Sequence, residues 1–393
     1  MERVDALKGI VDNIIAPLLA KRRNIGVVAG VIDRGQNLVQ GYGQARDDRA
    51  GSPDAETVFE IGSVTKVFTS TLLAILATEG LLDLNQPVRD LLPELSHLSP
   101  EVTPLSLATH TSGLPRLPGN FYAQMFRNMR NPYANYTTGD MLAFLARYRP
   151  RPKRRAESQP GVSYSNLGGG LLGYLLARRA GVSYEDAVVS RICDPLDLAD
   201  TRVTLTSDQQ ARLATPHSPR GKPASNWDIP SLAGAGALRS TAKDMLKFLA
   251  AQLDQSPHDL TSALADCHNL RVRLPPPPTS GLLGKIASRL ERRISASPIA
   301  PVGVGLGWFL VKLGDSGAIA HMHNGATGGY RAFAGFVKES ETAVVVMANR
   351  GLSEYDLVFR AKSVDDIGLD ILRRLERSRS DRHSASAGRP STC

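Results

Sequence analysis

From Val67 to Ala77 the chain reads Val-Phe-Thr-Ser-Thr-Leu-Leu-Ala-Ile-Leu-Ala, mostly apolar and without a Gly or Pro to interrupt it. Such a run suits a buried helix. It opens on Phe59-Glu60-Ile61-Gly62-Ser63-Val64-Thr65-Lys66, which sets a hydroxyl and an amine three residues apart at the predicted helix start. Residues three apart share a helix face, so the Ser63 hydroxyl and the Lys66 amine can meet. A serine hydroxyl is a weak nucleophile until a base takes its proton, and a lysine desolvated in a pocket has its pKa lowered toward that task. The helix start adds unpaired backbone N–H groups near the oxygen. The Ser-x-x-Lys pattern is common on its own, and Ser240-Thr241-Ala242-Lys243 repeats it in this chain.

The rest of the composition sets bounds. With 393 residues and 42% hydrophobic content, the chain can bury a large core in one two-lobed unit or two domains. A net charge of +9 admits anionic partners, but it accompanies an ordinary globular composition, and no nucleic-acid partner is expected. Cys193, Cys267 and Cys393 are odd in number and widely spaced, against a disulfide framework or a cysteine-based zinc site. Glu2, Arg3, Asp5, Lys8 and Asp12 break up the apolar core a signal peptide would need, so a cytoplasmic location is expected. Nowhere do enough apolar residues run together for a transmembrane helix.

Taken in order, Val4, Leu7, Val11, Ile14, Ile15, Leu18 and Leu19 fall at helical spacing. Val27 to Ile32 and Leu38 to Gly43 read as a hairpin about Asp33-Arg34-Gly35, and the Ser63 helix follows. After Leu84 come short helices and proline-rich loops, with helices over 140–148, 168–180 and 240–253. A Pro-rich hinge at 275–278 leads into a basic amphipathic helix, expected to pack on the protein surface. Strands return over 305–311, 318–323, 330–337 and 342–348 as an antiparallel meander. A closing helix is predicted over 356–375. The expected fold is therefore α/β (α+β): an antiparallel sheet flanked by helices, with an inserted, mostly helical lobe. Residues 1–84 and 300–376 form the sheet lobe and residues 85–299 the helical lobe, including a basic loop at 147–155 and an insertion at 271–299. The Ser/Arg-rich residues 377–393 form a disordered tail.

An acyl-transfer serine needs a proton relay, an oxyanion hole and substrate contacts beyond its base. Pro160-Gly161-Val162-Ser163-Tyr164-Ser165-Asn166 places a phenol and an amide two residues apart before a helix, though a buried tyrosine and a helix cap explain the same letters. Tyr133-Ala134-Asn135 carries the same spacing. A tyrosine beside a lysine ammonium can be held as, or pass through, the phenolate and carry a proton. His323-Asn324-Gly325-Ala326 ends a strand where the glycine permits close backbone approach, so the Ala326 N–H can join the Ser63 N–H at an oxyanion. His323 can bind a substrate carboxylate or assist proton transfer. His321 and His323 lack the further ligands a metal site needs, and no metal or organic cofactor is expected. A Gly-x-Gly-x-x-Gly match at Gly168, Gly170 and Gly173 follows a polar loop rather than a strand, and close helix packing is its expected use. There is no Gly-x-Ser-x-Gly elbow, Walker loop or His-Glu-x-x-His.

The order Ser63-x-x-Lys66, Tyr164-x-Asn166, His323-x-Gly325 resembles the serine β-lactamase and penicillin-binding-protein superfamily, in the class C branch that also holds D,D-carboxypeptidases, esterases and transacylases. His110-Thr111-Ser112-Gly113-Leu114-Pro115, the stretch from Asp194 to Thr201, the stretch from Gly234 to Asp244, and Gly305-Leu306-Gly307-Trp308 look like further landmarks of it. The likeness covers residues 25–350. It implies Ser63 as acyl-accepting nucleophile, Lys66 and Tyr164 as the proton-transfer pair, and Asn166 as a substrate-amide contact. It also implies an oxyanion hole of the Ser63 and Ala326 N–H groups. By the same likeness Ser240 is a helix-capping serine, and Tyr133 lacks the preceding Pro-Gly of the motif loop.

Two departures bear on the reaction. The third motif begins with His323 where class C β-lactamases usually have lysine, which favours the esterase, peptidase and transacylase relatives. The loop before Tyr164 is unusually basic, and Arg151, Lys153, Arg154 and Arg155 are expected to contact an anionic small-molecule substrate. The reading is a serine hydrolase cleaving an ester, amide or β-lactam through acyl-Ser63. Its alternatives are an acyltransferase with an amine or alcohol as second acceptor, and a catalytically silent binding protein.

Overall fold

The computed structural model describes residues 2–19, 25–149, 161–255, 259–275, 301–351 and 363–387. Its centre is one antiparallel sheet. In chain order the strands are β1 (Gly26–Asp33), β2 (Gln36–Gly43), β5 (Val272–Arg273), β6 (Gly303–Val304), β7 (Phe309–Lys312), β8 (Ile319–Ala326), β9 (Arg331–Val337) and β10 (Thr342–Ala348). Across the sheet they run β2-β1-β10-β9-β8-β7-β6-β5. A separate two-stranded piece pairs β3 (Phe59–Glu60) with β4 (Arg239–Ser240).

Period-two alternation divides the sheet residues between two cores. On β1, Val27, Ala29 and Val31 face one side, where α1 (Glu2–Leu19) and a long C-terminal helix (Val364–Ala387) cover them. Val28 and Ile32 face the other side, together with Ala343, Val345 and Met347 of β10. Because both faces are covered, β1 and β10 are buried at every residue, which is why they read as continuous apolar runs.

The second core is organised by α2 (Thr65–Thr78), in which every residue from Thr65 to Leu76 is buried. Around it pack several short helices, among them one at Pro104–Ala108, one at Asn166–Ala180, one at Ala233–Gly236, one at Ala242–Gln252 and one at Thr261–His268. The glycines of the Gly168–Gly173 stretch serve this packing. A Cβ on Gly170 would come within 2.3 Å of Leu232, and one on Gly173 within 2.8 Å of the Gly234 backbone. Helices that meet this closely have no room for side chains at the contact.

Several sequence expectations shift. The strand predicted from Gly305 begins at Phe309, because Gly307 turns at φ +73° beneath Ser70 and the Lys66 carbonyl. Ser240 does not cap its helix: it lies in β4 opposite Phe59 and bonds Thr201, while Thr241 accepts from the Asp244 N–H as the cap. The closing helix begins at Val364, after Ser363 and Asp366 bond reciprocally, and extends to Ala387 rather than Leu375. Past the predicted end, Arg379 donates to Asp33 at 2.8 Å and to Glu376 at 3.1 Å, tying that part of the helix to the end of β1. The basic residues Arg151 to Arg155 and the amphipathic segment after Pro275 lie outside the described residues. Among the described residues, no helix is long and apolar enough to cross a membrane, and no group of three metal-binding side chains gathers.

Candidate active site

The stretch before α2 is pinned from two directions. Ile61 N–H donates to the Leu238 carbonyl at 3.1 Å, and Leu238 N–H returns to the Thr65 hydroxyl at 3.1 Å. On the other side, Gly62 at φ +50° lies against Ala326, whose N would be 2.6 Å from an added Cβ. A Cβ on Gly325 would meet the Ile61 carbonyl oxygen at 1.9 Å and the Ser63 N at 3.1 Å. The two glycines therefore let the Ser63 and Ala326 backbones lie side by side, the arrangement an oxyanion needs. Ser63 is half-buried and Ala326 exposed, so this pair opens outward.

Beneath Ser63, Lys66 is 4% exposed yet has no ion-pair partner among the described residues. Its Nζ donates to Asn166 Oδ1 at 2.9 Å and to the Ala235 carbonyl at 2.6 Å, and stands 3.1 Å from Ser63 Oγ. Burial, and then the positive charge of Arg116, hold its pKa well below the ordinary lysine range. A neutral amine has two N–H groups and one lone pair. Asn166 Oδ1 and the Ala235 carbonyl are acceptors only, so they take the two protons and leave the lone pair for the Ser63 hydroxyl. That is the arrangement of a general base.

Tyr164 stands over the same pair, with Lys66 Nζ 4.9 Å from its ring centroid. Burial pushes the phenol up to about 12, with the Ser63 hydroxyl and the Arg116 charge pulling the other way. The resting phenol is thus protonated, so of the two uses open from sequence a tyrosine held as phenolate is disfavoured, and passage through the phenolate during proton transfer is the one that fits. The serine is flanked by an amine whose charge burial disfavours and by a phenol that keeps its proton.

His323 joins this cluster differently from what the sequence implied. It is fully buried, with its ring 6.3 Å from Tyr164 and 5.5 Å from Phe309. Its Nδ1 donates to the Asn324 carbonyl at 2.7 Å, which leaves Nε2 with the lone pair and no partner among the described residues. Burial, then the proximity of Lys66, push its pKa down to about 3. A neutral imidazole supplies no fixed cation for a substrate carboxylate, so that use of His323 finds no support here.

Sequence reasoning brought Ser63, Lys66, Tyr164, Asn166, His323, Gly325 and Ala326 to one place. It missed several neighbours. The Ala235 carbonyl is a backbone group without a side-chain signature. His110, in a landmark that carried no assigned role, holds the tyrosine segment: its carbonyl accepts from Ser163 N–H at 2.8 Å and its Nδ1 from Ser165 N–H at 3.3 Å. Tyr133, set aside as a chance match, is 9% exposed and lies close enough to Asn166 for that side chain to bear on its titration. Glu60 is 3% exposed and accepts from Trp227 N–H at 2.7 Å beside Arg239, tying the nucleophile's strand to the loop at 227–228.

Comparison with known proteins agrees with this geometry. A family model described as Beta-lactamase matches residues 11–368. A beta-lactamase of Providencia stuartii is 30% identical over 244 residues, 61% of this chain and 58% of that protein. A beta-lactamase of Pseudomonas fluorescens is 24% identical over 374 residues, 91% of this chain and 98% of that one. The D-alanyl-D-alanine-carboxypeptidase/endopeptidase AmpH of Escherichia coli (strain K12) is 30% identical over 229 residues, 57% of this chain and 56% of that protein. The chain thus spans little more than half of the first and third of these relatives and nearly all of the second. A solved class C beta-lactamase superposes with a TM-score of 0.73 at 23% identity, covering 94% of this chain and 96% of that one. The class C beta-lactamase of Rhodobacter sphaeroides gives 0.70 at 24% identity, covering 93% and 99%. With the three motifs assembled on this fold and the family match spanning nearly its whole length, the chain belongs to the beta-lactamase family of serine hydrolases.

Proposed function

We propose that the protein cleaves an ester, amide or β-lactam through an acyl-enzyme on Ser63. The observation that carries this is the buried Lys66 amine 3.1 Å from Ser63 Oγ, with Asn166 Oδ1 and the Ala235 carbonyl as acceptors for its protons; unprotonated, it has its lone pair left for the serine. In the first half-reaction Lys66 takes the hydroxyl proton as Ser63 Oγ attacks the carbonyl carbon. The Ser63 and Ala326 N–H groups receive the developing oxyanion. Tyr164 gives its proton to the leaving group and is reprotonated from the Lys66 ammonium, so the pair ends as it began. Water then attacks the acyl-enzyme by the reverse of these transfers.

An amine or alcohol in place of water would make the same site a transacylase, and the acyl group is set by side chains lining the cleft. The relatives point to two donors, a β-lactam ring and a D-alanyl-D-alanine amide. The test is product analysis after incubation with penicillin, a D-alanyl-D-alanine peptide and an activated ester, each with and without an added amine. Hydrolysis products alone support the hydrolase. Acyl-amine products favour the transacylase, and no turnover of any donor contradicts both.

A further inference from the structure

The strand that carries the third motif is held from behind the sheet as well as from the cleft. On β8, Ala320 and Met322 face the core beneath the C-terminal helix, and Asn324 follows them at period two. The alternate positions, His323 and Gly325, face Tyr164 and the Ser63 backbone. Behind the sheet, Asn324 Nδ2 donates to Asp365 Oδ2 at 2.8 Å. Asp365 is the second residue of the C-terminal helix and is 2% exposed, and Val364 and Ile367 beside it belong to the apolar core. Asn324 is thus bonded on both sides of the sheet, because its main-chain carbonyl accepts from His323 Nδ1 at 2.7 Å. The next two residues, Gly325 and Ala326, end the strand and supply the oxyanion donor opposite Ser63.

A carboxyl in these surroundings is retained at a cost. Burial pushes Asp365 up to about 7, against the Asn324 bond and the charge of Arg331. Two apolar side chains of similar volume could fill the same space with little loss of stability. What the polar pair adds is direction, since a hydrogen bond fixes a distance and an angle where apolar contact permits sliding. We propose that Asp365 is a positioning residue: through Asn324 it sets the end of β8, so that the Ala326 N–H and the His323 ring stand in their working places beside Ser63. It lies on the far side of the sheet from the serine and acts only through the strand between them. The inference rests on the acyl-Ser63 reading for the use made of that strand.

Three variants separate position from stability. Asp365→Ala removes the acceptor, Asp365→Asn keeps one, and Asn324→Leu combined with Asp365→Leu removes the pair while keeping its volume. With p-nitrophenyl acetate, kcat per folded protein is expected to fall in Asp365→Ala and in the double variant by about tenfold or more, toward the roughly hundredfold of a reacting group misplaced by about 1 Å. KM should move much less, and Asp365→Asn should recover most of the loss. Amide hydrogen exchange should quicken over residues 323–326 in the same two variants and stay unchanged in β1. A double variant as stable as wild type with an unchanged kcat would overturn the proposal. So would a loss in Asp365→Ala that only follows its folded fraction, or an equal loss in Asp365→Asn. Should the wild-type protein form no acyl adduct while exchange at 323–326 still depends on Asp365, the acyl-Ser63 reading falls and the hold on the strand stands. Exchange that ignores Asp365 contradicts the hold whatever the chemistry.

Discussion

Lys66 Nζ stands 3.1 Å from Ser63 Oγ while its protons are committed to the Asn166 side chain and the Ala235 carbonyl. These bonds aim the amine and burial disfavours its charge, so the form of the site that can take the serine proton is the one with Lys66 unprotonated. Lowering the pH adds a proton to the lone pair that faces the serine. The acid limb of kcat/KM for a neutral activated ester should therefore lie well below the ordinary lysine range. Arg116→Gln removes a repelling positive charge, which raises the Lys66 pKa and should move that limb to higher pH. A pH–rate profile of both proteins checks the sign.

Tyr164→Phe removes the proton donor and leaves the ring contacts with His110 and Phe309 available. Acylation by an amide or β-lactam, whose leaving nitrogen needs a proton, should slow by roughly 10²- to 10⁴-fold. An activated phenyl ester, whose leaving group departs as an anion, should be affected much less. Stopped-flow acylation rates for both donors make the comparison.

Gly325→Ala would drive a methyl to within 1.9 Å of the Ile61 carbonyl oxygen, so the backbones of Ser63 and Ala326 must part. Losing one oxyanion donor costs about 10²- to 10³-fold in kcat. The fall should appear in kcat with far-UV circular dichroism little changed, because Gly325 lies at the end of β8 and the β8–β9 pairs from His321 to Asn324 precede the clash.

Glu60 is 3% exposed, and burial pushes its carboxyl up to about 7 against the pull of Arg239. Its folded pKa lies above its unfolded value, so the folded state holds the extra proton between them. Stability from this group is fully present below the unfolded pKa and is lost as pH rises toward 7, on the order of 3 kcal/mol at most. Glu60→Gln keeps an acceptor for Trp227 N–H and removes the titration. The stability of wild type relative to Glu60→Gln should fall between pH 5 and pH 8 in urea unfolding.

Much of this was legible in the sequence because it rests on period and spacing. The continuous apolar runs of β1 and β10, the buried run of α2 and the three-residue step from Ser63 to Lys66 are local patterns, and the structure keeps them. What escaped depends on contacts between distant segments. Thr241 caps its helix and Ser240 does not, because the pairing of Ser240 with Phe59 spends that residue in a strand. Glu60, His110 and Arg116 acquire meaning from residues about 50 to 180 positions away, and one of the two acceptors that hold the Lys66 amine is a main-chain carbonyl any residue could supply.

The central claim is a covalent intermediate on Ser63, and intact-protein mass after brief mixing with penicillin or an activated ester reads it directly. The expected result is one added acyl mass per chain, mapped by peptide digestion to Ser63 and absent in Ser63→Ala. No adduct on the wild-type protein, or an adduct of equal yield in Ser63→Ala, would contradict it.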